Sequence, residues 1–306
     1  MTKRLRIVFM GTPDFAVPSL QKLVEEGFAI AAVITAPDKP AGRGLQLQES
    51  PVKKYALANK LPVLQPANLK SPAFIEQLKQ LNADLQVVVA FRMLPEIVWR
   101  MPSLGTINLH ASLLPDYRGA APINHAIING ETETGLTTFF IKKEIDTGEI
   151  IFSEKIHIAE SDTAGTLHDK MMYAGADLLL KTVLAIESGQ YPKTEQTGTS
   201  HKLAPKLFKE NCRIQWNQST TQVYNFIRGL SPYPAAWTML DNKTIKLLNV
   251  SFFTDGRPQS PGSLLTDKKT YLRFTTADGY IEVLELQLEG KKKLPVAEFL
   301  KGYRFN

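Results

Sequence analysis

The chain has 306 residues, of which 43% are hydrophobic and 22% are charged. This composition is typical of a globular protein and excludes disorder as the default state, and the length allows one large domain or two of ordinary size. No apolar run approaches the roughly 18 residues that a membrane span needs. The N-terminus lacks signal-peptide features, and one cysteine, Cys212, cannot form an internal disulfide. Both observations predict a cytoplasmic protein without membrane association.

The net charge of +6 is concentrated towards the end of the chain. Residues 207–306 contain 14 Lys or Arg and 9 Asp or Glu, a balance of +5, whereas the remaining residues carry 22 and 21. A basic module beside a nearly neutral one suggests a polyanionic partner. The alternative is an ordinary solubilising surface.

Short apolar runs alternate with helical patterns in the first half of the chain. Strands are predicted at Arg6–Met10, Ala29–Thr35, Leu85–Ala90 and Thr106–Leu109, and helices at Ala16–Glu26, Pro51–Asn59 and Ser71–Leu81. Strands separated by helices predict an α/β fold with a Rossmann-like, doubly wound, mostly parallel sheet. Ligands of such sheets bind beyond the carboxyl ends of the strands.

The pattern changes after Glu133. Two adjacent strands are predicted at Leu136–Ile141 and Glu149–Ile158, followed by a long helix over Thr163–Ser188 with Ser161 or Asp162 as its cap. The polar stretch Gly189–Pro205 is typical of a linker. A helix at Thr220–Arg228 and strands at Ile245–Phe253, Tyr271–Thr275 and Tyr280–Leu288 predict a small OB-like β-barrel. The expected domains are therefore 1–188, a linker over 189–206, and a basic barrel over 207–306.

The segment Asn108–Pro115 (NLHASLLP) carries the strongest chemical signal. Asn108 and His110 stand two apart at the end of a strand, so their side chains point the same way and form a donor pair. Asp146, in the turn Asp146–Gly148, is the carboxylate to add, although its distance from His110 does not follow from the sequence. The histidines show no metal-ligand spacing, so we expect no metal.

The spaced Asn-x-His-x-Ser-Leu-Leu-Pro pattern, followed by Asp-Thr-Gly, resembles the signature of the 10-formyltetrahydrofolate-dependent formyltransferases. Further similar segments are Met10–Phe15, Lys39–Gly44, Ser50–Lys53, Leu203–Leu207 and Ser231–Trp237, so the resemblance spans essentially the whole chain. It implies transfer of a formyl group from 10-formyltetrahydrofolate. The most similar branch of the family acts on the free α-amine of methionyl initiator tRNA and supports translation initiation.

The resemblance implies that Asn108, His110 and Asp146 are the catalytic residues. Formyl transfer needs a neutral amine to attack a formamide carbon, which gives a tetrahedral intermediate with a developing oxyanion. Asn108 would donate a hydrogen bond to that oxygen, and His110 would supply a second donor and a proton route. Asp146 would orient the imidazole and stabilise its charged form, or relay a proton through water.

The folate is expected against the loops that follow two of the strands. The implied contacts are Ser112, Leu113, Leu114, Pro115, Phe91 and Arg92. Many members of the family have Tyr-Gly where this chain has Phe91-Arg92. An Arg beside the pterin site is a departure from the family pattern.

Two features correspond to tRNA binding in this family. The loop Ala36–Ser50 matches the insertion that enters the acceptor stem, with Lys39, Arg43 and Gly44 as the implied contacts, although Leu45-Gln46 replaces the usual pair of lysines. The basic C-terminal module offers lysines that could follow a phosphate backbone. These are Lys243, Lys246, Lys268, Lys269, Lys291, Lys292 and Lys293. For Trp216 and Trp237, core packing is favoured over base stacking.

Other functions remain open to the sequence. A glycinamide ribonucleotide formyltransferase shares the Asn-x-His and Asp residues but would be shorter and lack the barrel, whereas amino-sugar formyltransferases can resemble both domains. A dinucleotide-binding module is a different class, and the first turn, Gly11–Asp14, lacks its Gly-x-Gly-x-x-Gly pattern. A non-catalytic RNA-binding protein would not need the three polar residues together. We expect a monomer.

Overall fold

A computed structural model of the chain describes residues 4–41, 46–197, 202–254 and 260–305. The helices are α1 (Val17–Glu25), α2 (Pro51–Ala58), α3 (Pro72–Gln80), α4 (Glu96–Trp99), α5 (Pro122–Ile128), α6 (Ala164–Ser188), α7 (Thr220–Leu230) and α8 (Val296–Gly302). The strands in the first part of the chain are β1 (Arg6–Gly11), β2 (Ala29–Ile34), β3 (Lys39–Ala41), β4 (Gln46–Gln48), β5 (Val63–Leu64), β6 (Leu85–Val89), β7 (Thr106–His110), β8 (Arg118–Gly119), β9 (Glu133–Phe140) and β10 (Ile150–His157). Those in the last part are β11 (Leu203–Ala204), β12 (Ala236–Leu240), β13 (Lys243–Phe253), β14 (Leu264–Thr266), β15 (Leu272–Thr275), β16 (Tyr280–Leu288) and β17 (Lys293–Pro295).

The N-terminal sheet has the strand order β10-β9-β7-β6-β1-β2-β5. β5, β2, β1, β6 and β7 run parallel, and β9 is antiparallel to β7. The central strands β1 and β6 consist mostly of apolar residues that are almost fully buried, as in Ile7–Met10 of β1, because helices cover both faces of a parallel sheet. The strand order changes direction at β1, which lies between β2 and β6. The carboxyl ends of β1, β6 and β7 therefore border the crevice where such sheets bind ligands.

The C-terminal sheet is antiparallel, with the order β12-β13-β16-β15-β14 and β17 against β16. It curls into a half-barrel. One face packs on α7 and α8 through a buried apolar cluster that includes Ile227, Leu247, Phe274 and Phe299. The α/β fold class with a small C-terminal barrel-like domain is therefore confirmed.

Two compact units emerge from the contacts among the described residues, and neither is continuous in sequence. The first comprises 4–118, 135–156 and 168–197, without the gap at 42–45. The second comprises 119–134, 157–167, 202–254 and 260–305. In the second unit, α5 packs against α7, and the Asn124 side chain donates to the Gly229 carbonyl at 2.8 Å.

Some local features differ from the sequence prediction and others agree with it. The cap of α6 is Thr163, because its hydroxyl accepts from the Thr166 N–H at 3.2 Å; the prediction of Ser161 or Asp162 was wrong. Asp162 instead accepts hydrogen bonds from the Ala159 N–H and the Thr166 hydroxyl. The loop over 36–50 contains the paired strands β3 and β4. Trp216 stacks on Phe274 within the C-terminal core, as expected from the sequence.

Candidate functional site

Strand β7 places Asn108 and His110 at the carboxyl edge of the N-terminal sheet. Leu109, between them, packs on α6, where a Cβ added to Gly175 would lie 2.9 Å from a Leu109 methyl. Successive side chains of a strand alternate between its faces, so Asn108 and His110 point away from α6. In the pairing register, Asn108 lies beside Val88 of β6 and His110 beside Thr137 of β9.

His110 is buried, with 7% of its surface exposed, and its ring is held by one main-chain bond. Its Nε2 lies 2.9 Å from the carbonyl oxygen of Tyr117. A carbonyl can only accept, so Nε2 carries the proton and the Nδ1 of neutral His110 presents a lone pair. Tyr117 therefore fixes the tautomer of a ring whose other nitrogen can take up a proton.

The carboxylate of Asp146 lies beside that free nitrogen. Its Oδ2 is 3.9 Å from Nδ1 of His110, and both side chains are largely buried. This distance is longer than a direct hydrogen bond but short enough for a strong charge interaction with a protonated ring. The structure thus brings together two of the residues that the sequence predicted, 36 positions apart.

The turn that carries Asp146 has an unusual main chain. Asp146 has φ 55°, in the left-handed region that residues with a Cβ seldom adopt. Gly148 approaches β9 so closely that an added Cβ would lie 1.5 Å from the Phe140 carbonyl oxygen. Arg118 and Gln196 both donate to the Asp146 carbonyl, at 3.0 Å and 2.9 Å.

Asn108 is half-buried, and its side-chain amide makes no hydrogen bond within the described part of the chain. A buried or half-buried amide normally finds a partner. The unused donor and acceptor of Asn108 therefore fit a ligand that supplies a carbonyl group.

The loop after β7 is held by three hydrogen bonds that involve the hydroxyls of Ser112 and of Thr137 in β9. Ser112 is fully buried and donates from Oγ to the Asp116 carbonyl at 2.6 Å. The Thr137 hydroxyl donates to the Ser112 carbonyl at 2.7 Å and accepts from the Leu114 N–H at 3.2 Å. Leu114 is buried, whereas Leu113 and Pro115 are partly exposed. Leu113 and Pro115 therefore offer the accessible surface of this loop.

The loop after β6 carries Phe91 and Arg92, whose side chains make different contacts. Phe91 is partly buried against the apolar cluster that contains Val88 and Phe74. The Arg92 guanidinium donates to the carbonyls of Pro66 and Ala67, and burial lowers its pKa. Arg92 thus ties the loop after β6 to the loop after β5.

The base of the loop over 36–50 is held by charged and polar groups. Asp38 accepts from Lys53 and from Gln65, and these two bonds lower the pKa of the Asp38 carboxyl. Gln65 also donates to the Ala36 carbonyl at 2.8 Å. Lys39 is exposed in β3, whereas Arg43 and Gly44 lie outside the described residues.

Several residues of this site were not found from the sequence. Tyr117 acts through its main-chain carbonyl, and the Thr137 hydroxyl bonds main-chain atoms of the loop after β7. Gln196 lies in a stretch whose composition is typical of a linker. Arg118 lies three positions after the Asn108–Pro115 segment, and the sequence predicts no role for it. Only the fold brings these groups to His110 and Asp146.

No group of His, Cys, Asp and Glu side chains able to hold a metal ion occurs among the described residues. None of the helices over the described ranges is long and apolar enough to cross a membrane.

Two family profiles match nearly the whole chain. The formyl transferase profile matches residues 5–183, and the formyl transferase C-terminal domain profile matches residues 206–304. The chain belongs to the formyl transferase family. The resemblance inferred from Asn108–Pro115 and the Asp146 turn is thereby confirmed.

Relatives in this family are similar over almost their full length. A methionyl-tRNA formyltransferase of Bacteroides fragilis is 56% identical, covering 98% of this chain and 95% of the relative. Those of Phocaeicola vulgatus and Flavobacterium johnsoniae are 57% and 51% identical, each covering 99% of this chain and 97% or 98% of the relative.

Solved structures of more distant proteins share the fold. HypX from Aquifex aeolicus in complex with tetrahydrofolic acid has a TM-score of 0.68 at 19% identity, covering 99% of this chain and 49% of that one. The N-formyltransferase from Helicobacter canadensis in complex with folinic acid and dTDP-3-aminofucose has a TM-score of 0.69 at 20% identity, covering 95% of this chain and 100% of that one. At these identities the likeness supports the fold alone.

Proposed function

We propose that this chain transfers a formyl group from 10-formyltetrahydrofolate to the free α-amine of methionyl initiator tRNA. The observation that carries the proposal is the site at the end of β7. There Nδ1 of His110 faces the Asp146 carboxylate at 3.9 Å, and the amide of Asn108, on the same strand, has no hydrogen-bond partner among the described residues. Relatives named methionyl-tRNA formyltransferase, 51% to 57% identical to this chain, support the choice of acceptor.

Asn108 acts on the formyl oxygen. As the amine attacks, that oxygen gains negative charge, and a donor already aimed at it stabilises the transition state more than the ground state. No internal hydrogen bond has to break for this donation, because the Asn108 amide has no partner within the described residues.

His110 receives the proton that the attacking amine must lose. The nitrogen of the amine forms a bond to the formyl carbon, and the bond between that carbon and the folate nitrogen breaks. Nε2 of His110 is committed to the Tyr117 carbonyl, so the proton goes to the lone pair on Nδ1. From there it can pass, directly or through water, to the departing folate nitrogen.

Asp146 stabilises the protonated ring. Its carboxylate lies on the side of His110 that gains the positive charge, at 3.9 Å. Such a charge interaction is strong in a partly buried site because little water screens it. Tyr117 orients the ring, which leaves Asp146 the electrostatic role.

The folate supplies the activated formyl group and leaves as the free amine, and the chain has surfaces that fit it. Leu113 and Pro115 offer accessible apolar contact beside His110, while Ser112 and Leu114 are buried and support them. Phe91 and Arg92 border the same edge of the sheet, at the end of β6. We assign the folate-binding site to these six residues.

The acceptor is proposed from charge as well as from the relatives. Residues 207–306 carry a balance of +5, which favours the phosphate backbone of a tRNA over a small neutral acceptor. Lys39, Arg43 and Gly44 are assigned to the acceptor stem. As a partner of charged tRNA, the chain is proposed to act in the cytoplasm. It is also proposed to be a monomer, and sedimentation of the purified protein would test this oligomeric state.

The test is a formyl-transfer assay with competing acceptors. The purified chain is given 10-formyltetrahydrofolate and, in separate reactions, methionyl initiator tRNA, glycinamide ribonucleotide or an amino-sugar nucleotide. We expect turnover with the tRNA alone, and none with the uncharged initiator tRNA, which lacks the α-amine. Turnover with either small acceptor at a rate above that with the tRNA would overturn the proposal.

A further inference from the structure

The main chain of the Asp146 turn is held by two side chains from other parts of the sequence. Gln196 donates from Nε2 to the carbonyls of Asp146 and Gly148, at 2.9 Å and 2.8 Å. Arg118 donates from Nε to the Asp146 carbonyl at 3.0 Å and from Nη2 to Oε1 of Gln196. Both hydrogens and the oxygen of the Gln196 amide are therefore used. We call Arg118 and Gln196 the turn clamp.

The conformation of the turn requires such support. Asp146 adopts φ 55°, which is unfavourable for a residue with a Cβ and persists only where the surroundings hold it. Since the carboxylate extends from this same residue, any shift of the main chain moves the carboxylate with it. Nδ1 of His110, by contrast, is fixed by the Tyr117 bond on the other side of the ring.

The segment that carries Gln196 is attached to the sheet without the help of the Gln196 side chain. Thr194 exchanges two main-chain hydrogen bonds with Ile150 at the start of β10, at 2.8 Å and 2.9 Å. Removal of the Gln196 amide therefore leaves the segment attached. What it removes is the hold on the Asp146 and Gly148 carbonyls.

We propose that Arg118 and Gln196 are positioning residues that set the distance between the Asp146 carboxylate and Nδ1 of His110. The role in catalysis rests on the proposed function, whereas the hold on the turn does not. A displacement of about 1 Å at a catalytic group can lower a rate by about a hundredfold. The clamp thus contributes to turnover by holding the main chain that carries the Asp146 carboxylate.

The experiment compares Gln196→Met and Arg118→Met with two matched controls. Methionine keeps the length of the Gln196 side chain and replaces the apolar stem of Arg118, and it removes the hydrogen bonds of either. Glu195→Met changes the exposed neighbour of Gln196, and Lys143→Met removes one positive charge from the exposed surface near the turn. For each protein, kcat and KM for both substrates are measured, together with hydrogen exchange of the amides from Asp146 to Glu149.

We expect both clamp variants to lower kcat about tenfold to a hundredfold, with KM for the tRNA unchanged. Amide exchange over the turn should become faster in the clamp variants and stay as in the parent chain in the controls. Arg118→Lys should recover only part of the rate, because an ammonium group cannot bond the Asp146 carbonyl and Gln196 in the same fork geometry.

A double-mutant cycle separates positioning from a general loss of structure. In an Asp146→Asn chain, Gln196→Met should lower kcat little further, because the carboxylate that the clamp positions is gone. If Gln196→Met lowers kcat by the same factor in the Asp146→Asn chain as in the parent chain, the positioning role is overturned. If the parent chain formylates no acceptor, the proposed function fails. The hydrogen-exchange data still test the hold of the clamp on the turn, because unchanged protection of the turn in both clamp variants would overturn it.

Discussion

The side-chain amide of Asn108 is half-buried at the end of β7 and has no partner within the described residues. Asn108→Ala therefore removes no internal hydrogen bond. We expect kcat to fall about 10²- to 10³-fold, the effect of losing one oxyanion donor. The free energy of unfolding should change by less than about 0.5 kcal/mol, as for substitutions that break no contact.

Steady-state kinetics and urea unfolding on the same protein sample measure both quantities. Asn249→Ala, which removes an exposed amide from β13, serves as the matched control and should leave kcat unchanged. A turnover in Asn108→Ala within a few-fold of the parent chain would remove Asn108 from the mechanism.

His110 should behave differently, because its ring contributes to the fold as well as to the reaction. It is 7% exposed and bonds the Tyr117 carbonyl. His110→Ala is expected to lower kcat by about 10²- to 10⁴-fold, the range for a general acid–base group. It should also lower the free energy of unfolding by about 1 to 3 kcal/mol, since a buried carbonyl loses its partner.

The readouts for His110→Ala are turnover, urea unfolding and tRNA affinity by filter binding. The tRNA affinity should stay as in the parent chain, because the variant removes no phosphate contact. Full turnover in a folded His110→Ala protein would exclude the proposed proton transfer to Nδ1.

At the scale of elements, β9 supports the loop after β7 through one hydroxyl. Thr137→Val keeps the shape of the side chain but leaves the Leu114 N–H and the Ser112 carbonyl without that partner. The expected loss of stability is about 1 to 3 kcal/mol, with a higher KM for 10-formyltetrahydrofolate. Thr134 offers the control in the same strand, because its hydroxyl is buried without a partner among the described residues. Thr134→Val should be neutral or stabilising, and equal losses from both changes would contradict the support role of Thr137.

The start of α7 carries an acid-sensitive contact. Asp278 accepts from the Thr220 hydroxyl and N–H, both at 2.7 Å, and these bonds lower its pKa below the usual 3.8. A lowered pKa in the folded state gives stability that is present above 3.8 and is lost as the pH falls through the folded value. Asp278→Ala should lower the free energy of unfolding by about 1 kcal/mol at neutral pH. The effect is no larger because water and salt screen the exposed carboxylate.

Urea unfolding of the parent chain and Asp278→Ala across an acid pH series tests this contact. The difference between the two proteins should narrow below pH 3.8. Glu195→Ala, which removes an exposed carboxylate from the other compact unit, is the matched control. If the difference in the free energy of unfolding between the two proteins stays constant at acidic pH, the charge of Asp278 does not stabilise α7.

The same elements show how far the sequence predicts this molecule. Buried strands such as β1 and β6 are apolar runs, and a long helix such as α6 has a clear period, so all were predicted within a few residues. α5 was missed because it has only seven residues, among them the polar Asn124, which meets the Gly229 carbonyl of α7 only after folding. Gln196 was missed because its partners are main-chain carbonyls about 50 positions away, which leave no trace in composition.

For the whole molecule, the basic balance of residues 207–306 makes a testable claim about salt. Lys291 and Lys292 are exposed in the turn between β16 and β17. If both contact phosphates, Lys291→Gln with Lys292→Gln should reduce the slope of log tRNA affinity against log salt by about 1.8, at about 0.9 per contact.

The matched control removes two exposed lysines from the N-terminal unit, Lys54→Gln with Lys60→Gln. Affinity is measured across a salt series for the parent chain and both double variants. Equal slopes in the parent chain and the Lys291 and Lys292 variant would indicate that these charges only keep the surface hydrated, and tRNA contact would have to come from elsewhere.

The second compact unit draws on 119–134 and 157–167 as well as on the end of the chain. During synthesis these two segments leave the ribosome well before α7. Ile128 packs beside Gly229 and the C-terminal cluster in the finished unit, so it lacks these contacts until α7 has been made. The unit therefore cannot complete its fold before the last strands are made. Nascent chains that stall after 206 should accordingly expose the apolar side of α5 and bind chaperones, whereas released full-length chains should not.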